Sequence, residues 1–441
     1  MNVDRRLMRA VETLGYRVTA GDVAAAVGLP LQEAERGLLA LAGEVGGTLQ
    51  VAESGDIAYV LPPNFRSILQ AKYWQLQLHA LWQRVWGVLF YLIRISFGIF
   101  LVVSIVLIFL AIAIILIALA TQGRNSDDSN GEGGSWGGGS IRWWVFPDFW
   151  FFFGDTSSRR RSPVSSSATR GRSRDDSEEM NFFEGVYSFL FGDGNPNADL
   201  EERRWQLIGQ VIRQHQGAVI AEQIAPYLDL GDRPSDDESF MIPVLSHFNG
   251  RPEVTETGQI IYRFPDLQTT AGQRRRPQPS LPPILEEHLW RFSRAPAWQI
   301  MVAIGLGCVN LIGALMLWYL LGDGEIAQEL GGLVAFVASI FWVLLGYGLG
   351  FLGIPLGRYY WLLWQNQRIR DRNARRYRYA AILANPSTEV QAKLRAAQAY
   401  AQERQVDEDN LAYRSDQDLL EQELAQSERI DRDWQRRLKS E

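Results

Sequence analysis

Residues 87–120 read GVLFYLIRISFGIFLVVSIVLIFLAIAIILIALA, and a water-soluble domain has no means of hiding an apolar run of 34 residues. From Ile95 to Ala120 the polar side chains are Ser96 and Ser104 alone, and about 20 apolar residues already suffice to cross the hydrocarbon core of a bilayer. The run is too long and too far into the chain to be the apolar part of a signal peptide, so it reads as a resident membrane segment. Two further runs, 298–321 and 331–354, have ordinary span length and are joined by the acidic turn Gly322-Asp323-Gly324-Glu325. The fold class is therefore membrane α+β: a multi-span helical membrane region that carries water-soluble modules.

The charges beside these runs set the expected topology. After 354 come Arg358, Arg368, Arg370, Arg372, Arg375, Arg376 and Arg378 against one acid, Asp371, and the positive-inside rule places that end in the cytoplasm. Arg291 and Arg294 place the start of 298–321 on the same side, which makes 298–321 and 331–354 a membrane hairpin. Lys72, Arg84 and Arg94 also mark the N-terminal region as inside. A single crossing by 87–120 would part the two soluble modules, so a fold-back of that run is the favoured expectation, with re-entry of a later aromatic segment as the alternative. Arg368, Arg370, Arg372, Arg375 and Arg376 are expected at lipid headgroups. Ala303 with Gly307, and Gly346 with Gly350, have the four-residue small-residue spacing that lets membrane helices approach closely.

Residues 1–66 and 199–267 each read as helix, short strand, two helices and a hairpin, an order that resembles a winged-helix domain. VAESGDIAYVLP at 51–62 aligns without a gap to VTETGQIIYRFP at 254–265, and Gly15 and Gly217 precede Val51 and Val254 by 36 and 37 residues. An internal duplication is the reading. In the first module Thr19 is placed to cap the second helix with Asp22 three positions on. The third helix, where a winged helix would read DNA, carries Arg36 against Glu33, Glu35 and Glu44 in the first module. In the second it opens on Asp236-Asp237-Glu238, and Pro243 interrupts it. Such helices repel phosphate, so nucleic acid is not an expected partner and protein is.

The remaining segments are connectors and tails. Residues 71–120 begin with an amphipathic, Trp-rich helix that leads into the long apolar run. Residues 121–198 form a low-complexity Gly/Ser/Arg linker with an aromatic segment at 141–153. It includes Arg159, Arg160, Arg161, Arg170, Arg172 and Arg174, further candidates for lipid headgroups, and ends in an apolar helical patch at 182–191. Residues 358–441 are basic and then charged and helical, with one helix expected from about 388 and another over 411–438.

Chemistry is excluded more than it is suggested. The balance of 44 Lys plus Arg against 50 Asp plus Glu gives no global pull towards nucleic acid. Cys308 is the one cysteine, and with four scattered histidines there is no metal-ligand spacing. No catalytic residue, metal or cofactor is expected.

FYLIRISFGIFLVVS at 90–104, RIRDRNARR at 368–376 and AYRSDQDLLEQE at 412–423 resemble a family of uncharacterised integral membrane proteins of cyanobacteria and plant chloroplasts. Plastid members are sometimes labelled as iron–sulfur cluster biosynthesis proteins, a label that needs several thiolates where this chain has Cys308 alone. The resemblance implies a plasma or thylakoid membrane and a role in assembly or upkeep of photosynthetic complexes. Together the readings give a non-enzymatic, membrane-anchored adaptor that docks proteins at the cytoplasmic face. The alternatives are a membrane-tethered nucleic-acid regulator and a small-solute channel or transporter, for which Asn310 is the amide candidate in the interior of the last two spans.

Overall fold

The computed structural model describes residues 5–72, 74–122, 181–231, 237–256, 258–271, 281–322, 325–407 and 410–424, with 427, 434 and 435. The six linker arginines between 159 and 174 and the aromatic segment 141–153 lie outside the described residues. The chain divides into two compact units, the first from Met1–Gln83, Asn195–Trp290 and Trp364–Glu441, the second from Arg84–Gly194 and Arg291–Leu363.

The first unit starts with α1 (Arg5–Leu14), β1 (Arg17–Thr19), α2 (Ala20–Val27) and α3 (Leu31–Val45), followed by β2 (Thr48–Ala52), β3 (Ile57–Val60) and α4 (Phe65–Lys72). The alternating residues around Glu53-Ser54-Gly55-Asp56 form the expected hairpin, with Val51 opposite Ile57 and Thr48 opposite Val60. Leu7, Val11, Val23, Leu38 and Leu41 recur at helical spacing because one face of each helix is buried.

One helix, α5 (Trp74–Gln122), then runs without interruption through the whole long apolar run. This overturns the expected fold-back: no residue between Gly87 and Ala120 breaks the backbone ladder, and Ser104 turns its hydroxyl sideways to another helix instead of ending the turn. The short apolar α6 (Phe182–Phe191) follows.

The chain returns to the first unit with α7 (Leu200–Gln214), β4 (Ala218–Val219), α8 (Ala221–Ile224) with a 3-10 turn, and α9 (Met241–Phe248). Then come β5 (Arg251–Val254), β6 (Ile260–Arg263), α10 (Pro265–Gln268) and β7 (Thr269–Thr270). Pro243 does not interrupt α9; it is the third residue of the helix, where its missing N–H would have had no intrahelical partner. The order helix, strand, helix, helix, hairpin thus occurs twice, in sheets ordered β1-β3-β2 and β4-β6-β5. The two share one core, in which Val11, Val23 and Leu38 cluster with Ile208, Ile212 and Phe248. The approach of α2 to α7 is close: a Cβ on Gly28, whose φ is +74°, would lie 2.7 Å from the Gln206 nitrogen, and one on Gly209 would lie 2.8 Å from the Ala25 Cα.

The second unit resumes with α11 (Ala297–Leu321), α12 (Glu325–Leu330) and α13 (Gly332–Ser339). The expected span at 331–354 is broken at Ile340, and its second part belongs to α14 (Phe341–Ala384), a helix of 44 residues that continues far past 354 with Pro355 inside it. Helices α5, α11 and α14 are long and apolar enough to cross a membrane. Leu101, Ile105, Val186, Ala303 and Phe351 form one cluster between them, and Ile108, Ile115, Leu317, Val334 and Leu344 another. Their outward residues, Ile99, Val106, Ile312, Trp342 and Leu349 among them, are exposed and apolar, as a lipid-facing surface requires.

The chain ends in the first unit with α15 (Thr388–Tyr400), β8 (Arg404–Gln405) and β9 (Leu411–Arg414). Residues 411–414 were expected to begin a helix. They are a strand instead, added antiparallel to β2 with Tyr413 opposite Val51, because the open edge of β2 offers main-chain partners that an isolated charged helix lacks. β8 pairs in parallel with β7.

Candidate functional site

Asp22 is the polar centre of the first unit. Thr19 and Asp22 form a capping box at the start of α2, as their spacing implied. The carboxylate does more than cap: it accepts from the Thr270 hydroxyl at 3.0 Å and the Ala271 N–H at 3.1 Å, and it pairs with Arg213 of α7. Burial pushes this carboxyl up, but the Arg213 guanidinium and the N–H groups of Thr19 and Ala271 outweigh it and hold the carboxyl below its usual range. Nearby, the His247 ring stacks on Trp205 at 3.9 Å and bonds to the Gly28 carbonyl at 3.2 Å. These groups fasten the first helix–strand module to the second, and Asp22 and Arg213 also line a cavity of about 170 Å³ whose other described lining residues are Leu14, Ala25, Ala26, Gln210 and Leu281.

A second polar cluster corrects part of the expected lipid contacts. Arg376 is only 2% exposed, and with Arg372 it pairs with Glu287, itself 5% exposed. Burial pushes the Glu287 carboxyl up, yet the two guanidiniums hold it low. Asn373 and Asn366 each grip one residue of the extended segment 285–290 from both sides. The Asn373 amide donates to the Glu287 carbonyl at 2.9 Å and accepts from its N–H at 3.1 Å, and Asn366 does the same to Trp290 at 3.0 and 2.8 Å. Arg372 and Arg376 thus brace the inside of the first unit through Glu287 and do not present their charges as headgroup contacts. The signal was periodicity: Leu362, Ile369 and Arg376 are spaced by seven and lie on one buried stripe of α14. Arg375 is half-buried, whereas Arg368, lying over the Trp364 ring at 3.5 Å, and Arg370 are exposed.

The small residues divide likewise. Ala303 is fully buried, and a Cβ on Gly307 would come within 2.7 Å of Phe351. Gly346 has nothing within 4 Å of its Cβ position, and Gly350 meets only a neighbour on its own helix. The close contact falls on Gly348, whose Cβ position is 3.3 Å from the Asn310 amide nitrogen. Asn310 is fully buried and accepts from the Ser104 hydroxyl at 2.8 Å, so it links α11 to α5.

What remains exposed on the third helix of each module is informative. On α3 the outward residues are Gln32, Glu33, Glu35, Arg36 and Leu39. On α9 they are Ile242, Pro243 and Ser246, with Ile242 65% exposed. A cavity of about 560 Å³ in the first unit, lined by Val211, His215, Gln223, Tyr227, Leu394 and Gln398 among others, has no charged side chain in its wall. Gln223 presents its amide nitrogen to the His215 Nε2 at 3.1 Å, and burial pushes that imidazole's pKa down, so the wall offers neutral hydrogen-bonding groups. Among the described residues no group of three or more His, Cys, Asp or Glu could hold a metal ion.

This arrangement has a counterpart. The chain is 36% identical over 455 aligned positions to an uncharacterised chloroplastic protein of Arabidopsis thaliana, with 99% of this chain and 82% of the relative covered. The chain belongs to that plastid protein's family. No family model matches the chain, and no solved structure matches it. The alignment covers residues of both modules and of all three long helices. A chloroplastic relative and three apolar helices are compatible with a membrane protein of plastids.

Proposed function

We propose that this protein is a non-enzymatic, membrane-anchored adaptor or assembly factor. Its two modules are winged-helix-like copies of one ancestral unit, and they dock proteins at the cytoplasmic face of a plasma or thylakoid membrane. The observation that carries the reading is the outward surface of α3 and α9, which pairs acidic with apolar and neutral residues and has Arg36 as its one described cation. A DNA-reading helix would present an array of cations to phosphate, and each such contact steepens the salt dependence of binding. Arg368, exposed over the Trp364 ring, and the exposed Arg370 suit a headgroup layer. A chloroplastic relative supports a plastid setting for this reading.

The test is recovery of the tagged full-length protein from gently solubilised membranes, with and without nuclease and at 50 and 300 mM salt. The expected result is a complex of constant composition that survives nuclease and both salt concentrations. Recovery that collapses with nuclease, together with salt-dependent binding of duplex DNA by the purified protein, would reverse the assignment in favour of a tethered nucleic-acid regulator.

A further inference from the structure

The two hairpins of the first unit have the same register but different neighbours. In the first, Val51 lies opposite Ile57; in the second, Val254 lies opposite Ile260. Ala52 and Thr255 each donate across their own turn, to Asp56 and Gln259 at 2.9 Å, so Leu49, Val51 and Glu53 in one hairpin and Pro252, Val254 and Glu256 in the other direct their main-chain groups outward. On the first hairpin those groups are taken by β9 and the residues flanking it. The Leu49 carbonyl accepts from Ser415 N–H at 3.0 Å, Val51 pairs with Tyr413, and Glu53 N–H donates to the Asn410 carbonyl at 2.9 Å. On the second hairpin β5 is the edge of its sheet, paired with β6 on one side, and among the described residues no strand pairs with its outer side. Val254 is accordingly 68% exposed, where Val51 is half-buried.

Proline on an edge strand ordinarily blunts strand addition. Here it removes no ladder bond. Pro252 occupies the position of Leu49, whose N–H reaches only a side chain, the Ser415 hydroxyl at 2.9 Å, while its carbonyl makes the ladder bond. Pro252 keeps that carbonyl. The missing donor makes the edge selective, because an incoming strand has to centre its pairing on Val254.

We propose that the β5 edge binds an extended segment of a partner protein, added antiparallel as β9 is added to β2. This rests on the adaptor reading and supplies it with a docking surface. The partner's chemistry follows from the residues that would face it. An aromatic or large apolar residue covers Val254 and its exposed neighbour Ile260, as Tyr413 covers Val51. The next residue falls opposite Glu253, whose Oε1 accepts from Arg263 at 3.3 Å, and a basic residue there meets the other oxygen of that part-exposed carboxylate, where the first hairpin sets Arg414 opposite Gln50. Main-chain bonds supply affinity and this aromatic–basic pair supplies choice.

The experiment uses full-length protein in lipid nanodiscs and a fluorescein-labelled hexapeptide with the sequence of residues 410–415, Asn-Leu-Ala-Tyr-Arg-Ser, followed by anisotropy and by amide hydrogen exchange. Without peptide, the Val254 and Glu256 amides exchange rapidly while those of Val51 and Glu53 are protected; with peptide, protection appears at 254 and 256. Val254→Asp and Glu253→Lys each weaken binding tenfold or more, and Val254→Thr, which keeps a strand-forming side chain, retains it. Binding without protection at 254 and 256 overturns the proposal. So does protection of those amides in the peptide-free protein, which assigns the edge to another part of this chain if independent of concentration and to a second copy if not. Failure here while the nuclease-resistant complex persists leaves the adaptor reading standing with its docking surface elsewhere; loss of that complex in wild-type protein is the separate failure of the adaptor reading.

Discussion

Asp22 was legible as a helix-start charge, but not as the junction between modules, because Arg213, Thr270 and Ala271 are nearly two hundred or more residues away. Replacing Asp22 by Asn removes the counter-charge of the half-buried Arg213, which keeps its bond to the Thr269 carbonyl, at a cost of about 1–3 kcal/mol. Asp22→Asn is therefore expected to lower the urea midpoint of the first unit sharply, and the double change with Arg213→Met to recover most of the loss. Acid has a related effect in two stages. Burial holds the His247 imidazole's pKa below its ordinary 6.5, so the neutral ring's contribution is complete above that value and falls away as pH drops through the lower folded one. Asp22 and Glu287, also held low, contribute fully above the ordinary carboxylate range near ~4 and lose their contribution as pH falls below it. Unfolding midpoints measured from pH 8 to pH 3 should decline in that order. The arginines of α14 show the same blindness to long-range partners: composition drew Arg372 and Arg376 to lipid, and only the carboxylate of Glu287, remote in sequence, draws them inside.

At the scale of elements, periodicity and turn chemistry were good guides wherever the structure is local. The hairpin at Glu53–Asp56, the cap at Thr19, the apolar helix at 182–191 and the span at 298–321 were all readable. The errors arose where a segment's fate depends on an element elsewhere, as with β9, whose LAYR is a strand because β2 has an open edge. The continuity of α5 has a direct topological consequence. Phe183 and Asn181 lie against Gly98 and Tyr91 in the first half of the apolar stretch of α5, Val85–Thr121, and Arg358 donates to the Ser188 and Phe189 carbonyls of α6, so these chain passages share one part of the second unit. Gln122 lies 24 residues beyond Gly98 on one helix, about 36 Å away at 1.5 Å per residue. In a Cys308→Ala background, a cysteine introduced at Gly131 should react with an impermeant maleimide from the membrane face opposite to one introduced at Asn195. Labelling of both from the same face would restore the fold-back and contradict the single long helix.

At the scale of the molecule, the two modules could be counted from the sequence, but their dependence on each other could not. The alignment of residues 51–62 with 254–265 suggests two independent copies. The shared core and the close approach at Gly28 and Gly209 make them halves of one body. A fragment of residues 1–66 should therefore lack a cooperative melt and exchange its α2 amides rapidly, whereas the same amides in the full chain are slow. Interleaving also orders the protein's biogenesis. The first body is assembled from three separate stretches of chain, with the long apolar helices made in between. Its opening module leaves the ribosome early, yet the Val51 edge stays unzipped until residues 411–414 have been made, roughly 20 to 70 s later at translation rates of about 5–20 residues per second. During that interval the nascent protein exposes a sticky strand beside the membrane surface, and a chaperone that holds it would release its grip only when the chain's own β9 arrives.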